Sequence, residues 1–296
     1  MITQLLVYPI KSCAGVAVNE ALLLDTGLEF DRAWMVVDPQ GEFLTQRELP
    51  RMALVQPQLK HYEMVLRAPG MLALHVKLDE VEAPVRVRVW GDDVAAFDMG
   101  ATAAQWFTDF LGTACRLVRF DPDFRRLSSR EWTGDIEAPN QFSDGFALLV
   151  ISEASLEQLN NKLLVAGHCA VTMARFRPNI VLGNLAGKTP TASHESIQPA
   201  EPAAAHDEDR FELLHITTAE GVAQVKPVKP CPRCPIPNID PTTATSSPEV
   251  GDLLQTYRQD ARVGGAITFG MNAVLIGAGE HKLKVGQVVQ ANYSFK

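Results

Sequence analysis

Residues 229–243 read Lys-Pro-Cys-Pro-Arg-Cys-Pro-Ile-Pro-Asn-Ile-Asp-Pro-Thr-Thr and form the most informative stretch of the chain. The two cysteines of this stretch are accompanied by the cations Lys226, Lys229 and Arg233. Neighbouring cations lower the pKa of a thiol, and the thiolate is both a nucleophile and a metal ligand. Because proline restricts the backbone, we expect a loop that holds the thiols in place without a helix or a strand.

Three other interpretations of the pair Cys231 and Cys234 remain open on these residues alone. Half of a structural zinc site needs two more ligands, usually from another paired motif, and His168-Cys169 has an unusual spacing for that role. A thioredoxin-like redox pair is expected at a helix start after a strand, which the surrounding prolines disfavour. The third interpretation is two ordinary buried cysteines in a turn.

The composition indicates a globular, acidic protein. The chain has 296 residues, of which 46% are hydrophobic and 21% charged, which excludes wholesale disorder. There are 27 Lys and Arg against 35 Asp and Glu, a formal net charge of −8. Such a chain is a poor candidate for wrapping nucleic acid or for lying on an anionic membrane. Any anion that it binds must be held by a local basic cluster that works against the global field.

The pattern of apolar residues and cysteines predicts a cytoplasmic location. The longest strongly apolar run covers residues 146–151, far short of the roughly 20 residues of a membrane-spanning helix. The N-terminus shows no basic start, long apolar stretch or cleavage site. Five cysteines, an odd number, argue against a disulfide framework.

The first 120 residues are predicted to form a domain of short strands. Val85–Val89 alternates at period two, which is typical of a half-buried strand. Short strands at this spacing favour a small β-barrel or sandwich. An apolar face at helical spacing predicts one helix, over Thr102–Leu111.

Residues 121–296 are predicted to form a second domain. A strand over Ala147–Ile151 is followed by a helix that Ser152 caps and that runs to about Val165. Residues 184–209 contain almost no large apolar side chain and are expected to be a solvated, flexible insert. A last strand is expected over Val285–Ala291. The fold class is therefore a β-rich α+β fold with a few peripheral helices.

The thiol stretch resembles the signature of the MOSC domain, named for the C-terminal region of molybdenum cofactor sulfurase. Six further blocks resemble, in order, motifs of the MOSC domain and of the N-terminal β-barrel domain that precedes it. These blocks are Val7–Gly15, Gly27–Trp34, Ser143–Phe146, Ile151–Leu156, Arg175–Asn179 and Phe269–Asn272. The resemblance covers nearly the whole chain outside residues 184–209 and extends to the mitochondrial amidoxime-reducing component and its bacterial relatives.

This resemblance implies a molybdenum cofactor, a pyranopterin with a dithiolene and a terminal phosphate, bound between two β-barrel domains. The family's metal ligand corresponds to Cys234, where soft thiolate on molybdenum is chemically sensible. Contacts from the N-terminal domain are implied for Lys11, Ser12 and Arg32. Contacts from the MOSC domain are implied for Asp144, Gly145, Phe146, Arg177, Asn179, Arg233 and Asn272. Arg forks and Lys charges suit a phosphate and a charged pterin.

The implied reaction is the two-electron reduction of a small N-hydroxylated compound. Some relatives carry an iron–sulfur domain, whereas this sequence stops at Lys296, so we expect a separate iron–sulfur or flavin protein as electron donor. Two alternatives remain: sulfur transfer through a persulfide on Cys234, and a non-catalytic carrier of the cofactor. Pro232 stands where relatives often have Ser, and Asn272 stands where the mitochondrial relatives have Tyr, so the substrate is left open.

Overall fold

A computed structural model describes residues 1–185, 203–277 and 279–294. Within these residues the strands are β1 (Ile2–Val7), β2 (Val16–Val18), β3 (Glu20–Leu24), β4 (Gly27–Leu28), β5 (Trp34–Val37), β6 (Gln56–Leu59), β7 (Glu63–Arg67), β8 (Leu74–Lys77), β9 (Pro84–Val89), β10 (Asp92–Asp98), β11 (Arg116–Phe120), β12 (Leu148–Ser152), β13 (Ile180–Leu182), β14 (Phe211–Thr218), β15 (Gly221–Pro232), β16 (Gln259–Asp260), β17 (Ala266–Ile276), β18 (His281–Lys284) and β19 (Val289–Tyr293). The α-helices are α1 (Ala101–Leu111), α2 (Arg130–Thr133), α3 (Glu153–Val165) and α4 (Glu249–Gln255). Short 3-10 helices cover Pro50–Leu54, Met173–Arg175, Asp207–Arg210, Ile236–Asn238 and Ala261–Val263. The predicted β-rich α+β class is confirmed.

The largest sheet joins strands from both ends of the chain. Its order is β19-β14-β15-β17-β12-β13-β1-β2, with β16 paired to β17. Strand β1 lies antiparallel to β13, with Leu5 opposite Ile180, and β3 pairs with β18 near the C-terminus. Residues 2–28 thus pair with strands from the second half of the chain, although the sequence pattern groups them with the first half.

Two smaller sheets and α1 enclose a separate core in the N-terminal half. The sheets have the orders β5-β11-β10-β9 and β6-β7-β8. Helix α1 buries Trp106, Phe107 and Phe110 in a cluster that also contains Trp34. Gly112 ends the helix with a φ of 73°, a left-handed conformation that glycine adopts without a steric penalty. The predicted helix over Thr102–Leu111 is therefore confirmed to within one residue.

The expectation of a loop around both thiols is wrong in its first part. Strand β15 continues to Pro232 because its prolines stand at irregular points of its pairing with β17, where the ladder shifts register. Proline lacks the backbone N–H that a regular ladder uses, and such bulges accommodate it. Cys231 therefore lies within the last residues of a strand, and Cys234 follows in the loop beyond it.

The predicted strand over Val285–Ala291 is confirmed only for Val289–Ala291, which belong to β19. Residues 285–288 form the turn between β18 and β19. Gly286 adopts a φ of 90° there and donates its N–H to the Ile2 carbonyl at 2.8 Å. A contact with the opposite end of the chain thus decides a turn that the local apolar pattern does not reveal.

The predicted flexible insert is partly packed. Residues 186–202 lie outside the described residues, but residues 207–210 form a 3-10 helix that turns back onto α3. Glu208 is fully buried and accepts hydrogen bonds from the hydroxyls of Ser152, at 2.8 Å, and Ser155, at 2.6 Å. Ser152 also caps α3 as predicted, since its hydroxyl accepts from the Ser155 N–H. The prediction of a solvated loop is wrong for this end of the insert, because buried hydroxyl groups donate hydrogen bonds to the Glu208 carboxylate.

No helix in the described parts of the chain is long and apolar enough to cross a bilayer.

Glu208 makes the stability of the fold depend on pH in a defined direction. Burial raises the pKa of Glu208 above its ordinary 4.5. The folded protein therefore binds this proton more tightly than the unfolded chain, and wild-type stability is lost as the pH rises from 4.5 through the folded pKa. Glu208→Gln cannot titrate. As the pH rises through that window, the free energy of unfolding of the variant should increase relative to that of the wild type, by up to about 1.4 kcal/mol per pH unit.

Urea unfolding of both proteins from pH 4.5 to 8 measures this difference. Glu212→Gln, at an exposed position on β14, serves as the matched control. The difference between its free energy of unfolding and that of the wild type should not change with pH. A constant difference between Glu208→Gln and the wild type across the range would contradict the assignment.

Candidate functional site

A cavity of about 220 Å³ lies where the two halves of the chain meet. Its walls contain all of the residues that the sequence motifs single out: Lys11, Ser12, Arg32, Asp144, Gly145, Phe146, Arg177, Asn179, Arg233, Cys234 and Asn272. These positions come from segments far apart in the sequence, and the fold brings them together. Their roles in binding a cofactor remain predictions.

Hydrogen bonds to and between main-chain groups align three segments along one wall of the cavity. The Tyr8 N–H donates to Asp31 Oδ1 at 2.8 Å, and the Arg32 N–H donates to the Tyr8 carbonyl at 2.8 Å. The Phe142 N–H donates to the Arg32 carbonyl at 3.1 Å, and Lys11 Nζ donates to the Phe142 carbonyl at 2.8 Å. Residues 8–12, 31–32 and 142–144 are thereby held side by side.

Two guanidinium groups lie over a single buried tyrosine. The central carbons of Arg32 and Arg177 are each 4.3 Å from the centre of the Tyr8 ring, which is 1% exposed. Arg32 bonds to Asp31 Oδ2 at 2.5 Å and donates to the Arg177 carbonyl at 3.1 Å. Arg177 donates to the Cys13 carbonyl at 2.7 Å. Burial and the adjacent Arg32 charge lower the pKa of Arg177 to about 10. This part of the wall is thus strongly cationic.

The backbone is strained where the cations enter the cavity. Ser12, Arg32 and Arg177 have φ values of 67°, 51° and 59°, in the left-handed region that non-glycine residues seldom adopt. Gly15 is required nearby, since a Cβ at this position would come within 2.5 Å of the Tyr8 ring. Strain of this kind is concentrated at functional sites.

Lys11 is 5% exposed and pairs with Asp144 at 2.5 Å. Burial lowers the pKa of Lys11, and the Asp144 carboxylate opposes that effect. Asp144 also accepts from the Trp90 indole N–H at 3.2 Å. It is the only carboxylate among the described cavity-lining residues.

Cys234 and Cys231 both line the cavity, and Arg233 lies between them in sequence. The Arg233 backbone N–H donates to the Ile267 carbonyl at 2.8 Å, which anchors the thiol loop to β17. The Arg233 guanidinium donates to Cys231 Sγ at 3.1 Å and to the Phe176 carbonyl at 2.9 Å. The described residues contain no group of three or more His, Cys, Asp or Glu that could hold a metal.

The two asparagines of the predicted site differ in what they offer a ligand. Asn179 is 1% exposed, and its side-chain amide accepts from the Leu149 N–H at 3.1 Å and donates to the Leu6 carbonyl at 3.2 Å. It therefore holds β1 and β12 at the cavity wall. Asn272 stands on β17, opposite Leu149 on one side and Lys229 on the other.

Two cations that line the cavity, Arg47 and Lys229, were not among the site residues predicted from the sequence. Lys229 was visible as a cation near the thiols, whereas nothing in the local pattern around Arg47 distinguishes it from a surface charge. Together the described lining cations number six: Lys11, Arg32, Arg47, Arg177, Lys229 and Arg233.

The cavity is therefore built to receive an anion. Its six described cations face one lining carboxylate in a chain whose net charge is −8. Arg177 Nη2 and Arg233 Nε are buried and have no hydrogen-bond partner in the described structure. Buried donors without partners are destabilising, so an anionic ligand with several acceptors would complete the site.

Comparisons with known proteins agree with this architecture. The model of the MOSC N-terminal beta barrel domain matches residues 1–114, and that of the MOSC domain matches residues 137–290. Mitochondrial amidoxime reducing component 2 of Bos taurus is 33% identical over 87% of this chain and 72% of its own length. The Rattus norvegicus protein of the same name is 34% identical over the same shares.

A third relative extends the comparison to a larger protein. Molybdenum cofactor sulfurase of Homo sapiens is 27% identical over 92% of this chain and 29% of its own length. The two family models cover both the N-terminal segments and the thiol segment of the cavity. The chain therefore belongs to the MOSC-domain family, with an N-terminal MOSC beta barrel domain preceding the MOSC domain.

Proposed function

We propose that this protein binds a molybdenum cofactor in the cationic cavity and reduces N-hydroxylated compounds with electrons from a separate donor protein. The observation that carries the proposal is the joint placement of the Cys234 thiol and six cations around one cavity. The names of the amidoxime reducing relatives support the reaction class.

The chemistry of the donor set fits such a cofactor. A terminal phosphate needs charge-assisted N–H donors, and Arg177 and Arg233 each have a buried nitrogen without a partner. A soft metal needs a soft ligand, which Cys234 supplies. Because the described residues form no metal cluster of their own, the remaining metal ligands must come with the cofactor, as a dithiolene allows.

Each wall of the cavity has its own task in this proposal. Lys11, Ser12 and Arg32 hold the cofactor from the N-terminal half, and Arg177 and Arg233 hold it from the MOSC half. Asn179 keeps the intervening strands in place through the hydrogen bonds of its side-chain amide to the Leu149 N–H and the Leu6 carbonyl. The bound cofactor supplies two-electron redox chemistry, and cleavage of an N–O bond consumes two electrons and two protons and releases water.

The sulfurase relative favours a second candidate, sulfur transfer through Cys234. A sulfur carrier needs an accessible thiol beside a cation but need not retain metal. Molybdenum content of the purified protein therefore separates the two functions.

The proposal is tested on protein made in a molybdenum-competent host. Metal analysis and pterin fluorescence should show about one cofactor per chain, and an artificial reductant should support reduction of benzamidoxime to benzamidine. Metal-free protein that carries a persulfide would instead establish the sulfur-transfer function. If protein that contains the cofactor reduces no N-hydroxylated compound, it is a non-catalytic carrier of the cofactor.

The two thiols should differ in their effect on the metal. Cys234→Ser should abolish molybdenum retention and reduction, because a hydroxyl is a much poorer soft-metal ligand. Cys231→Ser should keep most of its metal. Cys169→Ser, at an exposed position that does not line the cavity, is the control and should match the wild type. Metal loss in Cys231→Ser with retention in Cys234→Ser would reverse the assignment.

Arg32 should contribute to cofactor retention although it lies some two hundred residues before Cys234. Arg32→Ala should weaken retention by roughly ten- to a hundredfold, the effect of one charge-assisted contact in a partly desolvated cleft. Arg32→Lys should restore only part of the lost retention, since one ammonium group cannot replace the two-pronged guanidinium fork. The measurement is molybdenum per chain after extensive dialysis, with circular dichroism to verify folding.

A matched control is needed because Arg32→Ala also leaves Asp31, 4% exposed, without its guanidinium partner. Arg116 bonds to Asp98, which is likewise 4% exposed, but neither lines the cavity. Arg116→Ala should therefore lose stability but keep its molybdenum. Full occupancy in folded Arg32→Ala would remove Arg32 from the binding site.

A further inference from the structure

The cavity contains two kinds of cation. Four of the six described lining cations donate hydrogen bonds to carboxylates, main-chain carbonyls or the Cys231 thiol. The other two, Arg47 and Lys229, lie over aromatic rings instead. An aromatic face attracts a cation through its quadrupole and does not occupy a specific N–H donor. These two side chains therefore keep donors available for a ligand.

Arg47 rests on the Trp90 indole. Its guanidinium carbon lies 4.7 Å from the ring centre, and its side chain is 20% exposed. The nearest carboxylate in the described structure, Glu48, is 4.0 Å away and 63% exposed. An ion pair of this length at an exposed carboxylate contributes little, so the Arg47 charge is not compensated.

The Trp90 support is strained, which indicates a role beyond packing. Trp90 is the first of the two turn residues between β9 and β10 and has a φ of 56°. Glycine, asparagine or aspartate usually occupies such a position, and a bulky residue there is a genuine outlier. The indole is fixed by the hydrogen bond to Asp144 at 3.2 Å and by the Phe43 ring at 5.0 Å. The turn thus holds an aromatic platform beneath a cavity cation.

Lys229 is held in the same way on the MOSC side. Its ammonium lies 5.0 Å from the centre of the Trp132 ring and 6.0 Å from that of Phe146. Among the described residues it has no ion pair and no side-chain hydrogen bond. Lys229 also stands opposite Asn272 in the β15–β17 ladder, so it belongs to the wall formed by the MOSC domain.

We infer that Arg47 and Lys229 form an anion subsite for the substrate, and that the protein prefers N-hydroxylated compounds that carry a carboxylate or phosphate group. This inference rests on the proposed function. A cofactor phosphate brings about two negative charges, which Arg177 and Arg233, each with one buried and unpartnered nitrogen, can balance. Lys11 and Arg32 are already paired with Asp144 and Asp31. Arg47 and Lys229 remain as the charges that a substrate anion would neutralise.

Binding of two amidines tests the subsite without requiring turnover. Benzamidine is neutral apart from its amidinium, and 4-carboxybenzamidine adds one carboxylate. Calorimetry on the cofactor-loaded protein should show about tenfold tighter binding of the carboxylated compound, the effect of one charge-assisted contact at a partly exposed site. Added salt should reduce this ratio, since it screens exposed charges. Equal affinities for the two compounds would overturn the inference.

Variants assign the ratio to the two cations. Arg47→Gln and Lys229→Gln should each lower the ratio of the affinity for 4-carboxybenzamidine to that for benzamidine. The double variant should bind the two compounds equally, while molybdenum per chain stays unchanged. Arg51 lies 4.6 Å from the Phe110 ring and Lys162 lies 4.7 Å from the Tyr257 ring, and neither lines the cavity. Arg51→Gln and Lys162→Gln are therefore matched controls that should keep the ratio. Trp90→Gly fits the turn and removes the platform, so it should lower the ratio without loss of folding.

The outcomes separate the two sources of the anion and the two proposals. If the double variant loses its molybdenum, the pair holds the cofactor phosphate and the substrate subsite is refuted. If the wild type binds the two amidines with the expected ratio but reduces neither amidoxime, the reductase proposal fails while the subsite stands. If the wild type reduces benzamidoxime but binds the two amidines with equal affinity, the subsite is refuted and the reductase proposal stands.

Discussion

The site depends on the stacking of two guanidinium groups against one buried tyrosine. Arg32 and Arg177 lie equally close to the Tyr8 ring, and among the described residues only Asp31 forms an ion pair with either of them. Like charges at this separation repel each other, and burial strengthens the repulsion. The ring and the main-chain carbonyls hold the pair together despite that repulsion. The folded protein is therefore electrostatically incomplete at this point, and an anion between its two halves would stabilise it.

The same bonds join the two halves of the chain. Arg32 reaches a carbonyl 145 residues away, and Arg177 reaches one 164 residues away. Strand β1 inserts beside β13 in the main sheet, so the segment that carries Tyr8 is anchored on the MOSC side before it turns toward Lys11. Formation of the cavity is thus a property of the whole fold, and neither the N-terminal strands nor the thiol loop forms it alone.

The cations of the cavity differ in how much of their hydrogen-bonding capacity remains. Lys11 and Arg32 are paired with carboxylates. Arg177 and Arg233 donate to carbonyls, and each keeps one buried nitrogen without a partner in the described structure. Arg47 and Lys229 lie on aromatic faces. This gradation gives a physical basis for binding two different anions in one cavity. The arginines with a buried, unpartnered nitrogen suit a ligand that stays bound, and the cations on aromatic faces suit a ligand that exchanges.

Features that depend on the local order of residues could be predicted from the sequence. Alternation and helical spacing were sufficient for the strand-rich class, for α1 and for the helix that Ser152 caps, because neighbouring residues decide these elements. The cation and thiol blocks could likewise be read in order along the chain. Four features could not be predicted locally: the burial of Glu208, the turn at residues 285–288, the hydrogen bonds of the Asn179 amide to the backbone and the position of Arg47 over Trp90. Each of these arises from contact between segments distant in sequence, where a local pattern carries no information about the partner.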